Sequence, residues 1–163
     1  MIQVGILTIS DRSFRKERQD AAGPVLEKIV QTRGWQVAVQ GILPDEESMI
    51  HDTLTEWVQS SKVDIILTTG GTGFSPRDVT PEATRRVIER EAPGLAEVMR
   101  AESLKATPHA MLSRAVSGIR GRCLIVNLPG SPKAAGECLQ AIIAVLPHAV
   151  QLLKGDASAE ASH

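Results

Sequence analysis

Apolar positions along the chain switch between two spacings. Residues 2–9 are almost continuously aliphatic and stop at Ser10 and Asp11. That pattern predicts a buried strand followed by a polar loop running to about Asp20. Pro24 sits where a first helical turn tolerates it, and Val25, Leu26, Ile29 and Val30 then recur at helical spacing until Gly34 stops the run. Trp35, Val37 and Val39 alternate, which predicts a second strand over 35–43. Pro44, Asp45, Glu46 and Glu47 open the next helix with acids in its first turn, where the helix dipole favours them. Met49, Ile50, Leu54, Trp57 and Val58 keep its period, and residues 63–68 form a third strand.

Further along, Thr80 as N-cap with Pro81 at the first helical position predicts another helix. Ala92, Pro93 and Gly94 break it, and a second helix follows through about Ser103. Pro108, Ser113, Gly118 and Gly121 predict a short helix and then a hairpin leading into an apolar strand at 123–128. Ala135, Cys138, Leu139, Ile142 and Ile143 mark one face of a long helix extending past Pro147 to about Leu153. Alternating strands and helices predict an α/β fold, a three-layer α/β/α sandwich around a mostly parallel sheet. A single domain is expected over 1–154, with a small polar tail at 155–163 that frays.

Composition narrows the function classes. With 163 residues and 42% hydrophobic content, the chain fits one ordinary globular domain with a full core. A net charge of −1 argues against a dedicated nucleic-acid binder, which needs a basic excess. No apolar run approaches the roughly 20 residues that cross a bilayer, so no membrane partner is expected. The first strand begins at once, with no basic leader or cleavage site. Two cysteines cannot build a disulfide framework; Cys123 opens a strand and Cys138 lies on a helix stripe, so both read as core residues in a reducing cytoplasm. His51, His109 and His148 have no ligand spacing with either cysteine, which argues against structural zinc. Basic residues gather at Arg12, Arg15, Lys16 and Arg18, and again at Arg114, Arg120 and Arg122. Each cluster is either a solvated face or an attraction for a small anion.

Candidate chemistry concentrates at the predicted strand ends. The third strand runs into Thr69, Gly70, Gly71, Thr72 and Gly73, then Arg77 and Asp78. This is neither a P-loop nor a GxGxxG fingerprint. A tight turn needs glycine, but has no need of threonines, an arginine and an acid within ten residues. Bare N–H groups at the carboxyl end of a strand make it a candidate phosphate cradle. A second junction, Pro129, Gly130 and Ser131, has the same physics, with Lys133 adding charge; Ser131 is a helix cap, a ligand contact, or both. The first strand adds Thr8, Ser10 and Asp11, and in a parallel sheet these junctions share one edge. Asp11, Asp20, Asp45 and Asp78 near such loops suggest a hard cation such as Mg²⁺, although Asp20 and Asp45 also suit helix capping. Aromatic content is 2% and tyrosine is absent, so a flat ring would rest mainly on aliphatic and backbone groups. Phe74 either stacks on such a ring or anchors the loop in the core.

These segments resemble the molybdopterin adenylyltransferases, the MogA-type proteins and the G domains of plant proteins and gephyrin. The likeness is carried by TTGGTGFSPRDVTPEAT at 68–84, ILTISDR at 6–12, LPDE at 43–46, NLPGS at 127–131, MLSR at 111–114 and GIRG at 118–121. It implies a molybdopterin-binding-type domain that transfers AMP from Mg-ATP to the terminal phosphate of molybdopterin, releasing pyrophosphate, in molybdenum cofactor biosynthesis. It further implies a homotrimer that hands its product to the molybdenum insertase. Asp45 and Asp78 are the essential aspartates by motif, with Mg²⁺ held by both. Ser10, Asp11, Thr69, Gly70, Gly71, Thr72, Gly73, Pro129, Gly130 and Ser131 are expected to bind substrate. The alternative is a non-catalytic, MoaB-like pterin-binding or scaffold domain; an insertase would need further domains that these residues do not supply.

Overall fold

The computed structural model describes residues 1–161. Its sheet has six strands: β1 (Gln3–Ile9), β2 (Gln36–Leu43), β3 (Ile65–Thr69), β4 (Arg90–Glu91), β5 (Ser117–Arg120) and β6 (Cys123–Leu128). They lie in the order β2-β1-β3-β6-β5-β4. The first four in that order are mutually parallel, whereas β5 and β4 are added antiparallel. The mostly parallel sheet is as expected, and the antiparallel edge comes from the hairpin that turns at Gly121.

Strand periodicity assigns the two faces. Val4 and Ile6 of β1, Ile65 and Leu67 of β3, and Leu124, Val126 and Leu128 of β6 pack on one side. There they meet α2 (Ala22–Thr32), α5 (Pro93–Leu104), α6 (Pro132–Ile142) and α7 (Leu146–Leu153). Leu7, Ile9, Ile66, Cys123 and Ile125 point the other way, against α3 (Glu47–Gln59) and α4 (Thr80–Val87). Central strands covered on both sides have no polar face, which is why their sequences read as unbroken aliphatic runs. The result is a three-layer α/β/α sandwich.

Several local expectations are corrected. The polar loop after β1 contains a four-residue helix, α1 (Asp11–Phe14), capped by the Ser10 hydroxyl accepting from Ser13 N–H at 3.2 Å. Thr80 is the first residue of α4 rather than its cap, and its hydroxyl donates instead to the Gly70 carbonyl at 2.9 Å. That carbonyl is buried at a loop with no strand partner, a stronger demand than a helix end near solvent. The long C-terminal helix is two helices, α6 and α7, bent by 64°. Pro147 has no N–H to continue the ladder, so the chain turns at 143–145. Within 155–161 the chain also forms a short helix, α8 (Ala157–Glu160), with Ala159 buried. Ser162 and His163, at the end of the tail expected to fray, lie outside the described residues. Among the described residues no single helix is long and apolar enough to cross a membrane.

One buried polar node fixes the sheet where β6 meets β5. Asn127 Oδ1 accepts from Val116 N–H at 3.2 Å, and its Nδ2 donates to the hydroxyls of Thr68 and Thr84 at 3.0 and 2.9 Å. Asn127, Thr68 and Thr84 are fully buried. Replacing Asn127 by Leu strands the Val116 N–H in a dry interior, at a cost of about 2–4 kcal/mol. The expected outcome is a thermal midpoint lower by roughly 5–12 °C. A midpoint unchanged from that of the parent in a melting curve would show the node to be dispensable.

Candidate active site

The strand order reverses between β1 and β3, because the chain leaves β1 outward to β2 and returns to pair β3 on the other side of β1. Open α/β sheets bind ligands in the crevice outside the strand ends at such a point. Here the glycine loop crosses that crevice. Gly70 N–H donates to the Leu128 carbonyl at 3.1 Å, and the Thr69 hydroxyl donates to the Pro129 carbonyl at 2.7 Å. Gly70 has φ 101° and packs so closely on the Ile9 carbonyl that a Cβ would collide with its oxygen. Gly71 has φ 68°, and a Cβ there would lie 3.0 Å from Asp45 Oδ1. Neither position admits a side chain, for reasons of both backbone and space.

Asp11 and Asp45 exchange bonds across the same edge. Asp11 N–H donates to Asp45 Oδ2 at 2.9 Å, and Asp45 N–H donates to Asp11 Oδ1 at 3.0 Å. Asp45 therefore does not cap α3, whose cap position is Glu46. Arg77 reaches over from the third loop, bonding both oxygens of Asp11 at 3.0 and 2.9 Å and Glu46 at 3.0 Å. The Arg77 hydrogen bond holds the Asp11 carboxyl below its ordinary range, against a smaller opposing effect of burial. Asp45 shifts upward, first because it is partly buried and further because Asp11 and Asp78 lie nearby as anions. Asp78 Oδ2 accepts from Gly73 N–H at 3.0 Å and Ser75 N–H at 3.1 Å, closing the loop on itself. Asp20 is tied locally, accepting from Gly23 N–H at 3.1 Å and the Thr8 hydroxyl at 2.8 Å.

Two cavities open on this edge, and they differ in character. The larger, about 580 Å³, is the more polar of the two and is lined by Ser10, Asp11, Arg12, Arg18, Asp45 and Ser131 among others. The smaller, about 380 Å³, is walled by Ala96, Met99, Leu112 and Cys138, with the hydroxyls of Ser103 and Ser113. Gly71, Asp78 and Gly130 line both, so these three residues form the wall between the chambers. Thr69 and Gly70 face the polar chamber; Thr72, Gly73 and Pro129 face the apolar one. Ser131 caps α6, accepting from Ala134 N–H at 3.4 Å, and also lines the polar chamber. Phe74 is 67% exposed and anchors nothing in the core, and Lys133 lies outside both chambers. In the apolar chamber the Cys138 thiol lies 3.3 Å from the Ser103 hydroxyl, and burial pushes its pKa up; Cys123, on the other face, is pushed up to about 12 by burial.

Sequence reasoning misses the apolar chamber and the arginine beside it. In the sequence Ser103 is only the end of a helix, and Arg114 groups with Arg120 and Arg122 as a basic cluster. Arg114 is instead half-buried and bonded to Gly73, Asp78 and Glu82. Its place in the MLSR segment, one of those that carry the resemblance, is the available signal.

Residues 5–148 match the family described as a probable molybdopterin binding domain. Among curated relatives, molybdopterin adenylyltransferase of Helicobacter pylori (strain J99) is 38% identical over 95% of this chain and 89% of its own length. The molybdenum cofactor synthesis protein cinnamon of Drosophila melanogaster is 48% identical over 96% of this chain, but the chain spans only 26% of that longer protein. Among solved structures, the molybdopterin biosynthesis enzyme MoaB of Thermus thermophilus superposes with a TM-score of 0.90 at 52% identity, covering 96% of this chain and 98% of that one. With a match that takes in both chambers and every strand beyond the first two residues of β1, this chain belongs to the molybdopterin binding domain family.

Proposed function

We propose that the protein is a molybdopterin adenylyltransferase of molybdenum cofactor biosynthesis, and that the wall of Gly71, Asp78 and Gly130 marks the place of transfer. The observation that carries this reading is the pairing of an apolar and a polar chamber across that wall. The apolar chamber suits a pterin, offering aliphatic faces and a few hydroxyls. The polar chamber suits the triphosphate of ATP: Arg12 and Arg18 line it, and neither is paired with a carboxylate among the described residues. A terminal phosphate oxygen of molybdopterin would attack the α-phosphorus at the wall. The new P–O bond forms as the α–β bridging P–O bond breaks, and pyrophosphate leaves with the electron pair. Because the nucleophile is already an anion, the chain's task is positioning and charge neutralisation.

The acid cluster fits Mg²⁺. Asp45 is raised in pKa by its burial and its anionic neighbours, and a cation would relieve that repulsion. No three His, Cys, Asp or Glu side chains converge into a metal cluster among the described residues. Mg²⁺ bound through one or two carboxylates, Asp45 and Asp78, with phosphates completing its shell, agrees with both facts. When bound it would neutralise charge on the phosphates. The Gly71 and Thr72 N–H groups, which Leu128 and Asp78 leave unengaged, and the arginines would hold the phosphates in line. We extend the reading to a cytoplasmic homotrimer that passes adenylyl-molybdopterin to the insertase, in keeping with two reduced cysteines.

Asp78→Asn is expected to keep the fold and molybdopterin binding while losing adenylyl transfer by roughly 10²–10³-fold in kcat. Molybdopterin-dependent release of labelled pyrophosphate from ATP is the measurement. Near-parental turnover removes Asp78 from the reaction, and absence of pyrophosphate from the parent protein itself favours the pterin-binding scaffold.

A stability effect follows from Asp45. Its carboxyl is raised in the folded protein, so the fold gains from holding the proton and loses that gain as pH rises through the shifted value. At pH 7 without Mg²⁺, Asp45→Asn removes the repelled charge while its amide oxygen still accepts from Asp11 N–H, and the variant should melt higher than the parent. The advantage should vanish below about pH 3.9, where the unfolded aspartate is protonated as well. Melting curves at both pH values check the sign; a variant less stable at pH 7 would mean that Asp45 is stabilising as an anion.

A further inference from the structure

The loop that carries Asp78 is closed from outside by one side chain. Arg114 lies on the extended segment between the 3₁₀ turn at Pro108–Leu112 and β5. Its Nε donates to the Gly73 carbonyl at 2.8 Å, and its Nη2 donates to the Asp78 carbonyl at 2.8 Å. Nη1 donates to both oxygens of Glu82 at 2.7 and 3.0 Å, and the Arg114 N–H donates to the Thr72 carbonyl at 2.8 Å. One planar guanidinium thus holds the first and last residues of the 73–78 loop and takes its own orientation from α4. Within that loop, the Asp78 carboxylate is aimed by the Gly73 and Ser75 N–H groups. Arg114 grips the Asp78 carbonyl and donates nothing to its carboxylate, so it leaves the acid's charge free. From the other side, Arg100 on α5, a wall of the apolar chamber, donates to the Ala115 carbonyl at 2.9 Å and steadies the same segment.

We propose that Arg114 is a positioning residue of the transfer site: it fixes the Asp78 carboxylate at the wall between the chambers by bridging the two ends of the loop, and Glu82 fixes Arg114. The proposal rests on the adenylyl-transfer reading. Lysine keeps the charge but is a single point that cannot bridge three acceptors in one plane. A misplacement on the order of 1 Å at a reacting centre can cost about a hundredfold in rate.

Arg114→Lys should therefore lower kcat by about 10–100-fold, with the KM for molybdopterin within about twofold of the parent. The Mg²⁺ concentration for half-maximal rate should rise severalfold. Calorimetric titration gives a readout independent of turnover: Mg-ATP should bind the variant about tenfold more weakly, while metal-free ATP binds as it does to the parent. Glu82→Gln keeps one acceptor for Arg114, should shift the same quantities in the same direction by less, and carries the test if Arg114→Lys does not fold. Parental kcat and Mg²⁺ dependence in the folded variants would overturn the proposal. So would parallel weakening of every ligand together with a fallen melting temperature, which is the signature of a merely structural residue. If the parent protein releases no pyrophosphate, the adenylyl-transfer reading fails by itself, and the Mg-ATP titrations still decide whether Arg114 positions Asp78.

Discussion

The close passage of Gly70 over the Ile9 carbonyl is the constraint on which the rest of the site depends. With φ 101° and no room for a Cβ, the chain can leave β3 flush against the end of β1 only at glycine. That path presents the Gly70 carbonyl to Thr80 and the Gly70 N–H to Leu128, so one residue ties the loop to α4 and to β6. It also brings Gly71 against Asp45 and lets Gly130 approach the Gly70 Cα, where a Cβ on Gly130 would stand 3.3 Å away. Three separate strand-end junctions become one surface because a side chain is missing at their meeting point.

The parallel core is legible because burial on both faces leaves strands with no polar alternation, and β1, β3 and β6 are therefore plain in the sequence. The edge of the site is legible for a related reason: in a parallel sheet, consecutive strand ends must share a side, so Ser10, Gly70 and Ser131 have to converge. Less is legible where partners are distant in sequence. Thr80 looks like a helix cap because the competing acceptor, the Gly70 carbonyl, acquires its need only once the loop is folded. The apolar chamber is assembled from α5, the 3₁₀ turn and α6, and no local period records that these meet. Arg114 likewise depends on acceptors 32 to 41 residues away.

The three acids at the sheet edge differ in how their charge is compensated. Asp11 is neutralised by Arg77, and Asp78 is satisfied by backbone N–H groups, but Asp45 is half-buried beside both with no cationic side chain bonded to it among the described residues. A sequence selected for stability alone would place asparagine there, since the amide would keep the bond to Asp11 N–H without the charge. Retaining a carboxylate at that point makes sense where a cation arrives with the ligand and reverses the local electrostatics.

Separating the chambers also solves a problem of incompatible solvation. A pterin ring prefers a dry aliphatic wall, whereas a triphosphate needs donors and counter-charge, and one cavity cannot offer both without leaving polar groups unsatisfied. The sheet resolves this by placing α5 and α6 behind one chamber and the ends of β1 and β2 before the other, with a wall only three residues wide. Two of those three are glycines, which keep the wall thin; on the proposed reading, that is what would let phosphates on either side approach. The third, Asp78, gets no side-chain packing from the two glycines that share the wall with it. Its placement must come from hydrogen bonds to the backbone, which is why the loop closes on its own N–H groups inside and on a single guanidinium outside.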